Sequence, residues 1–173
     1  MLVKLIGAAL ILFAGTMIGL LQASRYAARP NQIRQLIHAL QRLETEIGYG
    51  YTPLPEAIAR CAATMPEPAS SLLKEVIRRL SELKELTFRE SWEAAVLSIW
   101  PHTAMRQPEQ AALVRLGTNL GISDREDQMK HLKLAMQQLH LEEDAARHDG
   151  VRYVKMWRSL GVLTAALVVI LIL

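Results

Sequence analysis

Twenty consecutive residues, Leu5 to Ser24, carry no charge, and fifteen more, Ser159 to Leu173, carry none. As a helix the first run rises about 30 Å, the thickness of a hydrocarbon core. The second rises only about 22 Å. To span, its helix must begin near Val154 and let Lys155 and Arg158 reach back to the interface. Tyr153 and Trp157 suit that level, each pairing an apolar ring with a polar tip. The pattern predicts transmembrane helices over 3–25 and 153–173 around a helical domain over 26–152. A cleaved signal peptide is the rival reading of the first run, because Lys4 precedes it. Such a peptide has an apolar region of about 7–15 residues and a small-x-small site, and Leu21-Gln22-Ala23 fits that site poorly.

Between the two runs the apolar positions recur every three and four residues, the helical period. Arg29-Pro30 is expected to break the chain after the first run, since the residue before proline avoids the helical region. A helix over Pro30–Ile47 follows, with Ile33, Leu36, Ile37, Leu40, Leu43 and Ile47 on one face, and Gly48 and Gly50 suit its stop. Thr52-Pro53 reads as a cap and first turn for a helix to about Ala63. Pro66 and Pro68 introduce another, with Leu72, Leu73, Val76, Ile77 and Leu80 on one side. Thr87-x-x-Glu90 is a capping box for a helix ending before Pro101. Pro108 opens the next, with Ala112, Leu113, Leu116 and Leu120 inward and Gly121 at its end. Ser123-x-x-Glu126 reads as a second capping box. It starts the longest helix, lined by Met129, Leu132, Met136 and Leu139. Unbroken to Leu173, that helix would be about 75 Å long; Gly150 permits a bend in it without requiring one. The count is six helices within 30–149, so the fold class is all-α, a six-helix cytoplasmic bundle between two membrane helices.

Composition agrees with helix: 51% of the 173 residues are hydrophobic and only 5% aromatic, and β-branched runs and hairpin dipeptides are missing. Apolar content this high with a net charge of +3 excludes a disordered chain. A single cysteine excludes a disulfide scaffold. Charge is unevenly placed. Residues 1–43 hold five basic residues and no acid, and 150–173 hold three basic and none acidic. The middle, 44–149, holds the other 12 basic and all 17 acidic residues, a net of −5. Positive flanks remain cytoplasmic, which puts the middle inside the cell and both termini outside. The basic residues flank a membrane and leave no nucleic-acid footprint.

Catalytic chemistry is sparse. No phosphate-cradling glycine loop occurs. Cys61 sits in an amphipathic stretch and reads as a small core residue, and no base and orienting group can be assigned to it. His140, Asp144 and His148 share a helix face at intervals of four, with Glu142 and Glu143 beside them. They read as a solvated stripe, with a metal site or a membrane-bound hydrolase as the minor alternative. No catalytic residue, metal or cofactor is expected. The acidic run Glu142-Glu143-Asp144 and the pair Arg78-Arg79 are solvated faces or contacts for partners of opposite charge. Gly15-x-x-x-Gly19-x-x-x-Ala23 and Gly161-x-x-x-Ala165 place small residues on one face of each apolar run. Such faces let helices pack closely in lipid, either with each other or with another membrane protein or a second copy.

Several stretches carry a likeness to a known family. They are Arg29-Pro30-Asn31-Gln32-Ile33-Arg34-Gln35-Leu36, Leu43-Glu44-Thr45-Glu46-Ile47-Gly48-Tyr49-Gly50 with Thr52-Pro53-Leu54, and Leu116-Gly117-Thr118-Asn119-Leu120-Gly121. Asp124-Arg125, Gln128-x-Lys130-His131 and Leu160-Gly161-Val162-Leu163 extend it. The chain resembles the stage III sporulation protein AB family over essentially its whole length. It departs at Leu116, where an aromatic is expected.

The resemblance implies a non-enzymatic component of the channel that joins mother cell and forespore, in the mother-cell membrane facing the forespore. Its helical domain would be similar to that of component F, the inner-membrane platform of type II secretion and type IV pilus machines, an antiparallel six-helix bundle. The implied partners are a secretion-type ATPase, stage III sporulation protein AA, and the other stage III sporulation membrane proteins of the channel. Platform proteins have two such domains and three spans, so self-association would make up the difference. The matching motifs nominate Glu44, Glu46, Tyr49, Arg125 and Gln128 for partner binding. Their structural reading is that Glu44 and Glu46 cap or pair within the bundle and Tyr49 plugs the core edge. The competing function is a membrane-anchored helical scaffold or adaptor with no ATPase partner.

Overall fold

The computed structural model describes residues 2–82, 87–121 and 123–172. Among these there are six α-helices and no strand. They are α1 (Leu2–Gly48), α2 (Leu54–Thr64), α3 (Ala69–Glu82), α4 (Phe88–Ile99), α5 (Gln107–Leu120) and α6 (Arg125–Ile172), with a 3-10 turn at Trp100–His102. Two compact units result, a central one over Asn31–Asp144 and a terminal one made of the stretches before Asn31 and after Asp144. The division falls inside both α1 and α6.

In the central unit the helical period read from the sequence is the core. Ile33, Leu36, Ile37, Leu40, Leu43 and Ile47 of α1 are all buried, as are Leu72, Leu73 and Val76 of α3. Ala112, Leu113, Leu116 and Leu120 of α5 and Leu132, Met136 and Leu139 of α6 join them. Ile77, Leu80 and Met129 are half-buried at its margin. Leu116, the departure from the family pattern, fills a core position. Helices adjacent in sequence pack together: α2 on α3, α3 on α4, and α4 on α5. The Thr87 box forms as expected. The Thr87 hydroxyl accepts from the Glu90 N–H at 3.3 Å, and the Glu90 carboxylate accepts from the Thr87 N–H at 2.8 Å.

Three local expectations are corrected. Pro30 does not break α1, which runs through it. Proline removes one helical hydrogen bond and crowds the carbonyl four residues back, here that of Tyr26. Within the terminal unit Gly150 stands beside that carbonyl, where even an added Cβ would lie 3.6 Å away. Arg29, buried, pairs there with Asp149 at 3.4 Å. Neighbouring-helix contacts of this kind let a helix tolerate proline. Thr52 is not the cap of α2: Pro53 takes that place without a side-chain bond, and the Thr52 hydroxyl lies 3.4 Å from a Glu46 carboxylate oxygen. Ser123 is not the cap of α6. Asp124, one residue on, accepts from the Asp127 N–H at 2.9 Å, while the Ser123 hydroxyl donates to the Asn119 carbonyl. α6 itself is helical through Gly150.

The terminal unit brings Tyr26 and Tyr153 together, ring centroids 5.3 Å apart. Of the small residues on α1, Gly15 is half-buried and Gly19 and Ala23 are buried. Leu10, Phe13, Ile18, Leu20 and Leu21 are more than half exposed. Among the described residues one helix, the N-terminal one, is long and apolar enough to cross a membrane. Gly161 and Ala165 lie in α6, and their side-chain surroundings are outside the described residues.

Candidate functional site

One end of the central unit gathers three of the five nominated partner residues, Glu46, Tyr49 and Arg125, around a tight turn. α1 stops at Gly48, whose missing side chain lets Met129 of α6 approach; a Cβ there would sit 2.7 Å from the Met129 sulfur. The Thr45 carbonyl accepts from the Tyr49 and Gly50 N–H groups at 3.0 and 3.3 Å, and the Glu46 carbonyl accepts from the Thr52 N–H at 3.2 Å. Gly50 is needed for this path: a Cβ on it would fall 2.6 Å from the Glu46 carbonyl oxygen. Yet the residue in the left-handed region is Tyr51, with φ at 52°. A bulky residue there is an outlier and stores roughly 1–3 kcal/mol.

The Arg125 guanidinium, at the first residue of α6, lies 3.9 Å from the centroid of the Tyr51 ring. That cation–π contact is worth about 0.5–1 kcal/mol at an exposed position. Gln128 donates to the Leu120 and Ser123 carbonyls at 2.8 and 3.1 Å, which ties the end of α5 to the start of α6. Arg125 is thereby held where it meets Tyr51. Tyr49 does not plug the core edge, being 86% exposed, and Tyr51 is 74% exposed. Two exposed tyrosines thus stand on this turn, and the half-buried Arg125 meets the ring of one of them, Tyr51.

The two glutamates are engaged inside the unit. Glu44 lies 3.6 Å from the Lys133 ammonium, and Glu46 lies 3.4 Å from the Arg60 guanidinium. With Glu56 first and Glu46 second, the Arg60 guanidinium is held above its ordinary range. The structure therefore brings Tyr49 and Arg125 to one turn with Glu46 at its base, places Gln128 at the junction of α5 and α6, and sets Glu44 farther along α1 against α6. Tyr51 was missed by sequence reasoning. Its signal was an aromatic placed between Gly50 and Thr52-Pro53, where turn chemistry leaves a large ring nothing to pack beneath.

The chemistry-bearing residues elsewhere do not converge. Cys61 is buried, and burial pushes its thiol up to about 11, so it is protonated at neutral pH. Thiolate is the reactive form. His140, Asp144 and His148 are exposed; His140 faces Glu143 at 3.7 Å. Among the described residues no three His, Cys, Asp or Glu side chains form a metal-binding group. Glu142 is half-buried, and Glu143 is buried and pairs with Arg34 at 2.9 Å. Arg78 and Arg79 both reach Glu75, at 2.6 and 2.7 Å on their own helix.

Comparison with known proteins covers the whole of this architecture. A family model described as stage III sporulation protein AB matches residues 4–173. The stage III sporulation protein AB of Bacillus subtilis (strain 168) is 37% identical over 172 residues, which is 99% of this chain and 100% of the relative. A solved structure of stage III sporulation protein AB matches with a TM-score of 0.65 at 36% identity, over 71% of this chain and 96% of that one. With the matched model reaching from the first apolar run to the last, the chain belongs to the stage III sporulation protein AB family.

Proposed function

We propose that this chain is a non-enzymatic membrane platform of the sporulation channel, linking a cytoplasmic ATPase to membrane subunits of a type II secretion-like assembly. Its transmembrane helices would occupy 3–25 and 153–173, with the helical domain 26–152 in the cytoplasm and both termini outside. The mother-cell membrane facing the forespore is the location this role requires. The ATPase partner would be stage III sporulation protein AA. Coupling needs a rigid body with a recognition surface at one place and membrane helices at another. The observation that carries the reading is the turn with exposed Tyr49 and Tyr51 and the contact of Arg125 with the Tyr51 ring. Its aromatic and arginine side chains are the types that dominate protein interfaces; the Glu46 contacts hold the turn from beneath, and Gln128 holds the start of α6 that carries Arg125. Small residues at Gly15, Gly19, Ala23, Gly161 and Ala165 would meet channel subunits or a second copy in the bilayer.

The test uses the full chain in lipid nanodiscs and the purified ATPase of the same organism. Saturable binding that falls at least tenfold in Tyr49→Ala and Arg125→Ala, with helicity unchanged, supports the proposal. No association at high micromolar concentration overturns the ATPase role and leaves a scaffold or adaptor. Cysteine residues introduced singly at exposed sites of 30–144 should resist an impermeant thiol reagent in intact cells. Labelling there overturns the orientation.

A further inference from the structure

The terminal unit contains a groove of about 670 Å³ whose walls include Tyr26, Pro30, Val151, Val154, Arg147 and Lys155. Its volume falls in the range of small-molecule sites. The walls join two chemistries. Pro30, Val151 and Val154 offer apolar surface, while Arg147 and Lys155 bring positive charge to the same opening. The position along the chain is as telling as the lining. Tyr26 lies two residues after the first uncharged run, and Lys155 lies four residues before the second. The stretches 25–30 and 145–158 together hold six basic residues and one acid, Asp149. Asp149 is itself paired with the buried Arg29, and the formal charge of the two stretches is positive. The adjoining rings of Tyr26 and Tyr153 are the kind of pair found at headgroup level.

We propose that this groove binds the headgroup of one anionic phospholipid, with its phosphodiester between Arg147 and Lys155. The start of an acyl chain would lie along Val151 and Val154. A diester phosphate carries one charge and needs a cation, while the glycerol backbone and chain need apolar wall; the groove supplies both within one opening. A zwitterionic lipid would bring its own ammonium into a band already rich in cations and is disfavoured. The inference rests on the proposed membrane location, and the experiment separates the two.

The full chain is first floated with vesicles of phosphatidylcholine alone and with vesicles containing phosphatidylglycerol. A chain that floats with neither overturns both the membrane location and the lipid site. The chain is then purified in mild detergent and titrated with each lipid, and bound lipid is counted by native mass spectrometry. The expected result is one phosphatidylglycerol retained at least tenfold more tightly than phosphatidylcholine. Each basic side chain near such a headgroup contributes about fivefold, so Lys155→Gln and Arg147→Gln should each lower retention by about that factor. Arg152→Gln, which removes a charge from the band but none from the groove wall, should change it less than twofold. Flotation without a preference for phosphatidylglycerol overturns the lipid site alone. An equal loss in Arg152→Gln and Lys155→Gln also overturns it, since diffuse charge would then explain the preference. So does full competition by millimolar inorganic phosphate.

Discussion

The indole of Trp92 lies where a side chain on Gly117 would be. A Cβ built on Gly117 falls 2.1 Å from the indole Cδ1 and 2.8 Å from its Nε1. The indole N–H donates to the Leu113 carbonyl at 2.8 Å, one turn earlier on α5. Phe88 repeats the arrangement one turn before Trp92: a Cβ added to Gly121 would stand 2.9 Å from the Phe88 Cβ. The two rings are 5.9 Å apart. The Gly117-x-x-x-Gly121 spacing is therefore a seat for two aromatics of α4. It is one of the contacts that join α4 to α5.

Gly117→Ala should destabilise the central unit by about 3 kcal/mol, the upper end of overpacking costs. The buried indole must move and lose its hydrogen bond to Leu113, which adds to the steric penalty. Trp92 is fully buried, so tryptophan fluorescence during denaturant unfolding of the full chain reads the change. A variant with an unchanged midpoint would show that the indole has room to shift.

Gly150→Ala is the opposite case. The added Cβ would lie 3.6 Å from the Tyr26 carbonyl, an ordinary contact. Alanine is about 1 kcal/mol better than glycine in a helix interior. The variant should be as stable as the parent or more so, and its thermal midpoint by circular dichroism checks this. A lower midpoint would mean that Gly150 serves an approach closer than the one observed.

Cys61 is the single cysteine, so thiol chemistry reports on it alone. Burial raises its thiol from an ordinary value near 9 to about 11. Folded protein at pH 8 should react with a maleimide far more slowly than unfolded protein, because both access and thiolate are lacking. The linkage has a definite sign. Below pH 9 the thiol is neutral in both states and its contribution to stability is fully present. Between about 9 and 11 the unfolded state ionises first, so stability falls as pH rises. Cys61→Ser or Cys61→Ala should flatten that alkaline slope, measured as the unfolding midpoint against pH.

The Thr87 box gives the acid-side counterpart. The Thr87 N–H and then its hydroxyl hold the Glu90 carboxyl below its ordinary value. A depressed carboxyl contributes stability above its unfolded pKa and loses it as pH falls through the folded one. Thr87→Ala should lower the thermal midpoint by about 2–4 °C near neutral pH. An NMR titration of the Glu90 carboxyl in that variant should return toward the ordinary carboxylate range. An unmoved titration would assign the depression to the Thr87 N–H alone, which alanine keeps.

What the sequence made readable and what it hid differ by the range of the interaction. The face Ile33 to Ile47 and the Thr87–Glu90 box are legible because periodicity and one turn of helix contain everything that decides them. Pro30 misled because its local preference for a break is opposed by contacts with residues about 120 positions away, Gly150 and Asp149. Ser123 and Asp124 are both good caps, and composition cannot say which of two adjacent candidates wins. At the candidate site, motif likeness reached Tyr49, Arg125 and Gln128. Tyr51 escaped because its importance lies in a backbone angle and in a neighbour from α6, neither of which a local pattern contains.

Tyr51→Gly tests whether this residue is kept for folding or for recognition. Glycine adopts φ of 52° without strain, so the substitution releases roughly 1–3 kcal/mol held in the turn. It also gives up the Arg125 contact, worth about 0.5–1 kcal/mol, and the ring itself is already 74% exposed. The balance favours the variant, so its unfolding midpoint should match or exceed that of the parent. ATPase binding to the full chain in nanodiscs should nevertheless fall at least tenfold. Stability and binding would then move in opposite directions, as expected of a residue held under strain for recognition. A variant that unfolds more easily and binds as before would instead make Tyr51 a brace for the start of α6, and the recognition surface would have to be sought elsewhere on the central unit.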